Sequence, residues 1–157
     1  MTFIWKNAKS LFAVNQEQSD LLGRTANAFF QVCQATFFDG IILNLSRLTD
    51  PLHSMGKDNL CLERLLLGID KKTHPDIAKI LYDKIETAKE CCRTVRSHRM
   101  RKLAHLDLRT ALNSHPEPLP KVTIGDIDRA VKSVQDVVRS FSQLILTCPR
   151  FMYQPEL

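Results

Sequence analysis

Apolar residues recur every three or four positions along most of this chain, which is the spacing of a helix that buries one face. A first short helix is marked by Phe3, Ile4, Ala8, Leu11 and Phe12. A second, long helix is predicted from about Ser19 to Thr49, and its stripe consists of Leu22, Ala26, Phe29, Cys33, Phe37, Ile41, Leu45 and Leu48. Pro51 follows closely and disfavours helical geometry at Asp50, so a loop is predicted over residues 51–59.

The second half of the chain repeats this pattern with clearer helix ends. Asn59 is a candidate cap for a short helix over residues 60–69, and Thr73 for a long helix that begins near His74. The stripe of that long helix consists of Ile77, Leu81, Ile85, Ala88, Cys92 and Val95. A last helix begins after Thr123, which stands at capping-box spacing from Asp126. Its predicted buried face consists of Ile127, Ala130, Val134, Val138, Phe141 and Ile145.

With no competing strand pattern and no internal repeat, the predicted fold class is all-α, a helical bundle with two long helices plus shorter ones. The 157 residues have the length of one domain, with 150–157 as a loose tail. Five cysteines without CxxC spacing, and lysines that interrupt the apolar N-terminus, indicate a reduced, cytoplasmic protein without disulfides or zinc. No run approaches ~20 apolar residues, so no membrane span is expected.

Positive charge is concentrated in one segment. The net charge of the chain is +5, and the segment from Lys89 to Arg109 alone holds seven bases and two acids, so the remainder is neutral. The bases are Lys89, Arg93, Arg96, Arg99, Arg101, Lys102 and Arg109. Such a concentration favours a polyanionic partner, with nucleic acid first, although an arginine-rich solvated helix face would have the same composition.

Common nucleotide and metal motifs are absent from the sequence. It holds no GxGxxG, P-loop, HExxH or EF-hand pattern, and its five glycines are isolated. A hydrolase triad of Ser97, His98 and Asp107 is disfavoured because side chains so close in sequence rarely converge. The candidate chemistry therefore lies in the basic segment itself, where "RSHRMRKLAHLD" places Arg99 and His105 with five residues between them.

This arrangement resembles the signature of the HEPN superfamily, an Arg followed after a short spacer by a His, and within it the abortive-infection branch of the AbiU type. Two further blocks, "FFDGIILNLSRLTDP" from Phe37 and "LPKVTIGDIDRAV" from Leu119, look like that branch's second-helix segment and the start of its final helix. The three blocks follow in the right order and span most of the chain.

The resemblance implies a HEPN-like helical bundle that forms a homodimer, with the Arg–His motifs of both chains facing one cleft. Active members of the superfamily are endoribonucleases that need neither metal nor cofactor, often toxins or phage-defence effectors. Other members are inactive and bind partners, including nucleotidyltransferase antitoxins. The expected function is therefore RNA cleavage in phage defence, and the alternative is a non-catalytic module that binds RNA or a protein partner.

The chemistry of RNA suits these residue types. The 2′-OH beside each phosphate is a built-in nucleophile, so cleavage needs a base, an acid and positive charge on the phosphate. His105 titrates near neutral pH and Arg99 holds phosphate oxygens, which makes them the predicted catalytic pair. The predicted substrate-binding residues are Arg93, Arg96, His98, Arg101, Lys102 and Asp107.

Helix geometry leaves one question open. Residues six apart on an α-helix lie about 240° apart after one full turn, so Arg99 and His105 would not share a face, whereas Arg101 and His105 would. Either the helix bends or ends before His105, or a partner chain completes the pair, or Arg101 is the working cation. Met100 stands where family members commonly carry a polar residue, which predicts modest activity. Arg47 and Asp50, after the long helix, are expected to pair with each other, and the alternative is that they contribute to a cleft.

Overall fold

The computed structural model describes residues 2–13, 15–104, 112 and 119–147. The chain divides into two compact units, Met1–Asn44 and Leu45–Leu157. Of the predicted site residues, His105 and Asp107 lie outside the described residues, as does the predicted tail over 150–157. The prediction of a single domain stays a prediction.

The first unit consists of helix α1 (Thr2–Phe12) and most of helix α2 (Gln16–Leu48). The α2 helix begins earlier than predicted because the side-chain oxygen of Asn15 accepts a hydrogen bond from the backbone N–H of Gln18 at 2.8 Å, which is N-terminal capping. The helix is interrupted at Ala26, whose dihedral angles (φ −158°, ψ 66°) are not helical. Edge-on aromatic packing of Trp5 against Phe38, with ring centroids 5.9 Å apart, joins the two helices.

The predicted apolar stripe of α2 is only partly buried. Ile41 and Leu45 are fully buried, but Phe29 is 62% exposed and Ala26 is exposed as well, so the prediction is wrong for this stretch. The interruption at Ala26 is one physical reason, because it breaks the angular phase of the stripe. By length and composition alone α2 could cross a membrane, a test that core helices of globular proteins also pass.

After the last turn of α2, the second unit continues with a hairpin where the sequence predicted a loop. Strands β1 (His53–Ser54) and β2 (Lys57–Asp58) pair antiparallel, with His53 opposite Asp58. Met55 and Gly56 form the turn with positive φ angles of 50° and 73°, a conformation that glycine adopts without steric cost. The strands are too short to show any alternation of apolar and polar residues, which is why the sequence did not indicate them.

Two of the predicted helix caps are wrong. The amide of Asn59 donates to the backbone oxygen of Pro51 and to Ser54 Oγ, both at 2.8 Å, so it closes the hairpin rather than capping a helix. The following helix, α3, is confined to Arg64–Leu67. The hydroxyl of Thr73 donates to the carboxylate of Asp70, and helix α4 (Pro75–Cys91) starts without a side-chain cap.

The core of this unit is the packing of α4 along the last helix, α6 (Ile124–Thr147). The α4 stripe is buried as predicted, from Leu81 through Ile85 to Ala88. The capping box is confirmed, since Thr123 Oγ1 accepts from the Asp126 backbone N–H at 3.1 Å and the Asp126 carboxylate accepts from the Thr123 N–H at 2.9 Å. On α6, Val137 is buried and Val138 is 48% exposed, which corrects the predicted face by one residue.

The helix predicted to run on from α4 is divided. Cys92, with φ −89° and ψ −1°, ends α4 and precedes a short helix α5 (Arg93–His98), which is followed by a π-helical turn (Arg99–Ala104). Cys92 and Val95 remain buried, so the stripe continues across the division. As far as residue 104, the basic segment therefore runs from the end of α4 through α5 and the π-helical turn rather than along one straight helix.

Candidate functional site

The backbone changes its hydrogen-bond pattern at the first residue of the motif. The α-helical bonding of α5 ends at His98, and Arg99 opens the π-helical turn, where bonds run from i to i+5. The sequence left several alternatives open. The described residues show one of them, an α-helix that ends before His105. Single π turns are rare and occur frequently at functional sites.

Asp50, directly after α2, holds two arginines of the basic segment. Its carboxylate lies 3.0 Å from Arg96 Nη1, and the two carboxylate oxygens lie 3.0 and 3.2 Å from Arg99 Nη1. The two arginines are three residues apart, so both can reach one group from the same side of the chain. Their side chains and that of Asp50 are only 19–27% exposed, which makes this a partly desolvated cluster. The expected pairing of Arg47 with Asp50 is wrong, and Arg47 is exposed.

Arg96 is also bound to the end of α2. Its Nη1 donates to the backbone oxygen of Thr49, to that of Ser46 at 3.3 Å, and lies 3.4 Å from the Thr49 hydroxyl. These carbonyls lie at the C-terminal end of α2 and carry the negative end of its dipole, so a guanidinium is well placed there. Arg96 was predicted to contact substrate, which stays a prediction; its contacts within the chain attach it to the end of α2.

Arg99 keeps donors that Asp50 does not use. Its Nε is buried and has no hydrogen-bond partner within the part of the chain that the structure describes. A guanidinium carries five N–H donors in one plane, so the carboxylate on Nη1 leaves Nε–H and the second Nη group for another acceptor. A buried donor without an acceptor is unfavourable by itself, which makes Arg99 ready to accept an anionic ligand.

A second ion-pair cluster fixes the chain that follows Asp50. Glu63 accepts hydrogen bonds from Lys89 on α4 and, at 3.2 Å, from the backbone N–H of Leu52. The hydrogen bond from Lys89 lowers the pKa of Glu63. Burial alone would lower the pKa of Lys89, but its hydrogen bonds to Glu63 and Glu86 outweigh that effect and raise it. The segment 51–63 is therefore held at both ends, by Asp50 and by Glu63.

A pocket of about 820 Å³ lies beside the Asp50 cluster. Three of the predicted substrate-binding residues line it, Arg93, Arg96 and Arg101. Arg93 is 79% exposed and pairs with Glu90 at 3.1 Å. Lys102 is exposed but does not line the pocket, and His98 is partly buried. Part of the basic segment, Lys89, Arg93, Arg96 and Arg101, thus lines one concave surface.

Sequence reasoning did not predict the partners of the acidic residues in this region. Asp50, Glu63, Glu86 and Glu90 are separated from their partners by a turn of helix or by tens of residues. Only the i, i+3 pairs of α4 and α5, such as Glu90 with Arg93, carry a signal in the sequence. Among the described residues no group of three or more His, Cys, Asp or Glu side chains is placed to hold a metal ion.

A family model described as AbiU2, from the HEPN proteins, matches residues 2–155. The chain belongs to the AbiU2 family. The match extends across α1 to α6 and includes both residues of the Arg99–His105 motif, so the resemblance drawn from three short blocks holds for nearly the whole chain of this HEPN protein. Neither the curated proteins nor the solved structures that were compared with the chain match it.

Proposed function

We propose that this AbiU2-family protein is a metal-independent endoribonuclease of the phage-defence or toxin type, acting in the cytoplasm. Its HEPN membership supports this proposal. The structural observation that carries it is the state of Arg99, the motif arginine. It is held on one side by Asp50, while its buried Nε–H has no acceptor among the residues that the structure describes. A guanidinium that is already held in one orientation can donate to phosphate oxygens without first having to be ordered.

The proposed reaction uses the 2′-OH of the substrate. One histidine removes the 2′-OH proton, the oxygen attacks the adjacent phosphorus, and a protonated histidine gives a proton to the departing 5′-oxygen. Arg99 donates to the non-bridging phosphate oxygens as negative charge grows on them. The products are a 2′,3′-cyclic phosphate and a 5′-hydroxyl, and DNA is not cut because it lacks the 2′-OH.

Each chain carries one motif histidine, His105, whereas the reaction needs a base and an acid. We therefore include a homodimer in the proposal, with Arg99 and His105 of both chains lining one cleft. The concentrated charge of the basic segments favours an anion between them, which the RNA phosphates supply. Light scattering at micromolar concentration tests this part; a monomer under conditions that support cleavage would contradict it.

The decisive experiment is cleavage of a generic single-stranded RNA with EDTA present. His105→Ala should abolish cleavage while RNA binding and the circular dichroism spectrum stay as in the wild type. Arg99→Ala should reduce both cleavage and binding, because the guanidinium contacts phosphate in the ground and transition states. Arg101→Ala should reduce cleavage less than Arg99→Ala, since Asp50 positions Arg99; the reverse order would make Arg101 the working cation.

A second candidate is a non-catalytic module that binds RNA or a nucleotidyltransferase antitoxin through the basic segment. Met100 favours it, because this 63%-exposed thioether cannot donate to phosphate where family members commonly carry a polar residue. The binding module replaces the ribonuclease as the proposed function if the wild-type protein cuts no RNA and His105→Ala leaves its biological effect unchanged.

A further inference from the structure

We propose that the pocket beside the Asp50 cluster binds a single unstacked guanine base of single-stranded RNA, and so gives the protein a sequence preference. This inference rests on the proposed function, because it takes RNA as the ligand. Its volume of about 820 Å³ falls within the ~300–1,000 Å³ usual for ligand sites. Sequence-specific proteins commonly read RNA in this way, with bases splayed out of single strands and bound by their edges.

Charge pairing argues that the pocket does not hold a phosphate. Three of its cations are already held by carboxylates: Arg96 by Asp50, Lys89 by Glu86 at 2.7 Å, and Arg93 by Glu90. Glu86 and Glu90 themselves line the pocket and would repel an anion placed between them. A neutral group with hydrogen-bond donors suits such a wall better than a phosphate does.

The other walls suit a flat ring. Pro51 and the exposed thioether of Met100 offer apolar surface, and the Arg93 guanidinium, 79% exposed, offers a plane on which a base can stack. Family members commonly carry a polar residue at the position of Met100. In this chain the thioether would contact the base rather than the phosphate.

The carboxylates select guanine among the four bases. On its Watson–Crick edge guanine presents two adjacent donors, N1–H and the 2-amino group, which one carboxylate accepts in a bidentate manner. Adenine and cytosine each present an amino group beside an acceptor nitrogen, and uracil presents one N–H between two acceptor oxygens. Glu86 and Glu90 are 45% and 65% exposed, so either carboxylate is accessible to a base that enters the pocket.

Arg96 connects the pocket to the catalytic residues. Its guanidinium lines the pocket and shares Asp50 with Arg99. A base in the pocket therefore belongs to a nucleotide close to the phosphate that Arg99 contacts. The expected consequence is cleavage beside guanosine rather than at random.

The test compares two oligouridines that carry either one central guanosine or one central inosine, which lacks only the 2-amino group. A 2′-deoxyribose at every position prevents cleavage because it removes the nucleophile, and fluorescence anisotropy measures affinity. We expect inosine to weaken binding on the order of tenfold, the loss of one charge-assisted hydrogen bond. The double variant Glu86→Gln, Glu90→Gln should bind both oligonucleotides equally. Asp136→Asn is the matched control, an exposed carboxylate with an i, i+3 arginine on α6 that does not line the pocket.

Each outcome decides one question. Equal affinity of the wild type for guanosine and inosine overturns the guanine site, as does a preference that survives in the double glutamine variant while its melting temperature is unchanged. Cleavage of all-ribose substrates without preference would also overturn the site and leave the ribonuclease standing. A guanosine preference in binding without any cleavage would support the site and contradict the proposed ribonuclease.

Discussion

Asp50 is the residue on which the geometry of the basic segment depends. It accepts hydrogen bonds from Arg99, a residue 49 positions further along the chain, and it also pairs with Arg96. Without the carboxylate, two partly buried guanidiniums would lie close together with no negative charge between them. The same residue therefore contributes both to stability and to the orientation of the motif arginine.

Asp50→Ala should lower the free energy of unfolding by about 1–3 kcal/mol, because it leaves two cations without their acceptor in a partly desolvated place. Cleavage should fall more than this loss explains, since Arg99 is no longer oriented. Urea unfolding measures the loss of stability. Initial cleavage rates, taken without urea so that the variant is fully folded, measure the loss of activity. Asp136→Asn, a surface carboxylate paired with Arg139, should change neither.

The Glu63–Lys89 pair predicts how stability depends on pH. The pKa of Glu63 is lowered, so its contribution is present above its unfolded value of 4.5 and is lost as the pH falls through the folded value. The pKa of Lys89 is raised, so its contribution is present below its unfolded value of 10.5 and is lost as the pH rises through the folded value.

Glu63→Gln should therefore destabilise the protein by about 0.5–1.5 kcal/mol near neutral pH and by progressively less below pH 4.5. Urea unfolding of wild type and variant at matched pH values gives the difference directly. A difference that stayed constant down to acid pH would mean that the pair contributes nothing as a charge pair. Lys89 keeps Glu86 in the variant, so the alkaline side should change less.

At the scale of elements, the sequence predicted those features that depend on local periodicity and helix capping. The helical class, the buried face of α4 and the capping box at Thr123 follow from residues within one or two turns of each other. The hairpin at 53–58, the division at Cys92 and the π turn have no signal of that kind. The predicted stripe of α6 was extended by steps of four, which drift away from the buried face of a helix with 3.6 residues per turn. The prediction therefore named Val138, whereas the structure buries Val137.

The site was predictable only in part for the same reason. The motif arginine and its basic neighbours are visible as a charge run, whereas Asp50 acquires its role from a contact across 49 residues. Its position directly after a long helix and before Pro51 marked it as a helix-end residue, and nothing local distinguished Arg96 and Arg99 from Arg47 as partners. Burial of Cys92, which raises the pKa of its thiol to about 11, fits the predicted role of that cysteine as a small core residue.

The capping box gives a test at this scale. Thr123→Ala should lower the free energy of unfolding by about 1 kcal/mol, because it removes the acceptor for the Asp126 N–H at the start of α6. Thr87→Ala is the control, since Thr87 is exposed within α4 and only bonds back to the Asp83 carbonyl. That change should be neutral or slightly stabilising. Equal losses in the two variants would show that α6 does not depend on its cap.

For the whole molecule, charge is the property that distinguishes one region from the rest. The excess of +5 lies within the second unit, in the basic segment, while the remainder of the chain is neutral. RNA should therefore meet the protein in one orientation at distances within the Debye length, ~10 Å at 0.1 M salt, and affinity should fall steeply as salt rises.

Arg93→Ala tests that expectation. Arg93 can contact the phosphate next to the base that stacks on its guanidinium, so removing its charge should lower the log–log salt slope of RNA affinity by about 0.7. Arg139→Ala is the matched control: both arginines are exposed, at 79% and 69%, and both pair with an acid three residues earlier. Anisotropy titrations at several salt concentrations give the slopes. If both variants lower the salt slope by the same amount, the excess charge of the basic segment does not define the binding surface.

The segment 51–63 is attached at its two ends, through Asp50 and Glu63, while Met55 at the tip of its hairpin is 100% exposed. Closing a longer loop between two fixed ends costs little, about 0.6 kcal/mol for each doubling of length. The hairpin tip is therefore the position at which this protein accepts added residues. An affinity tag or a fluorescent label can be placed there without displacing the arginines that Asp50, directly before the loop, holds.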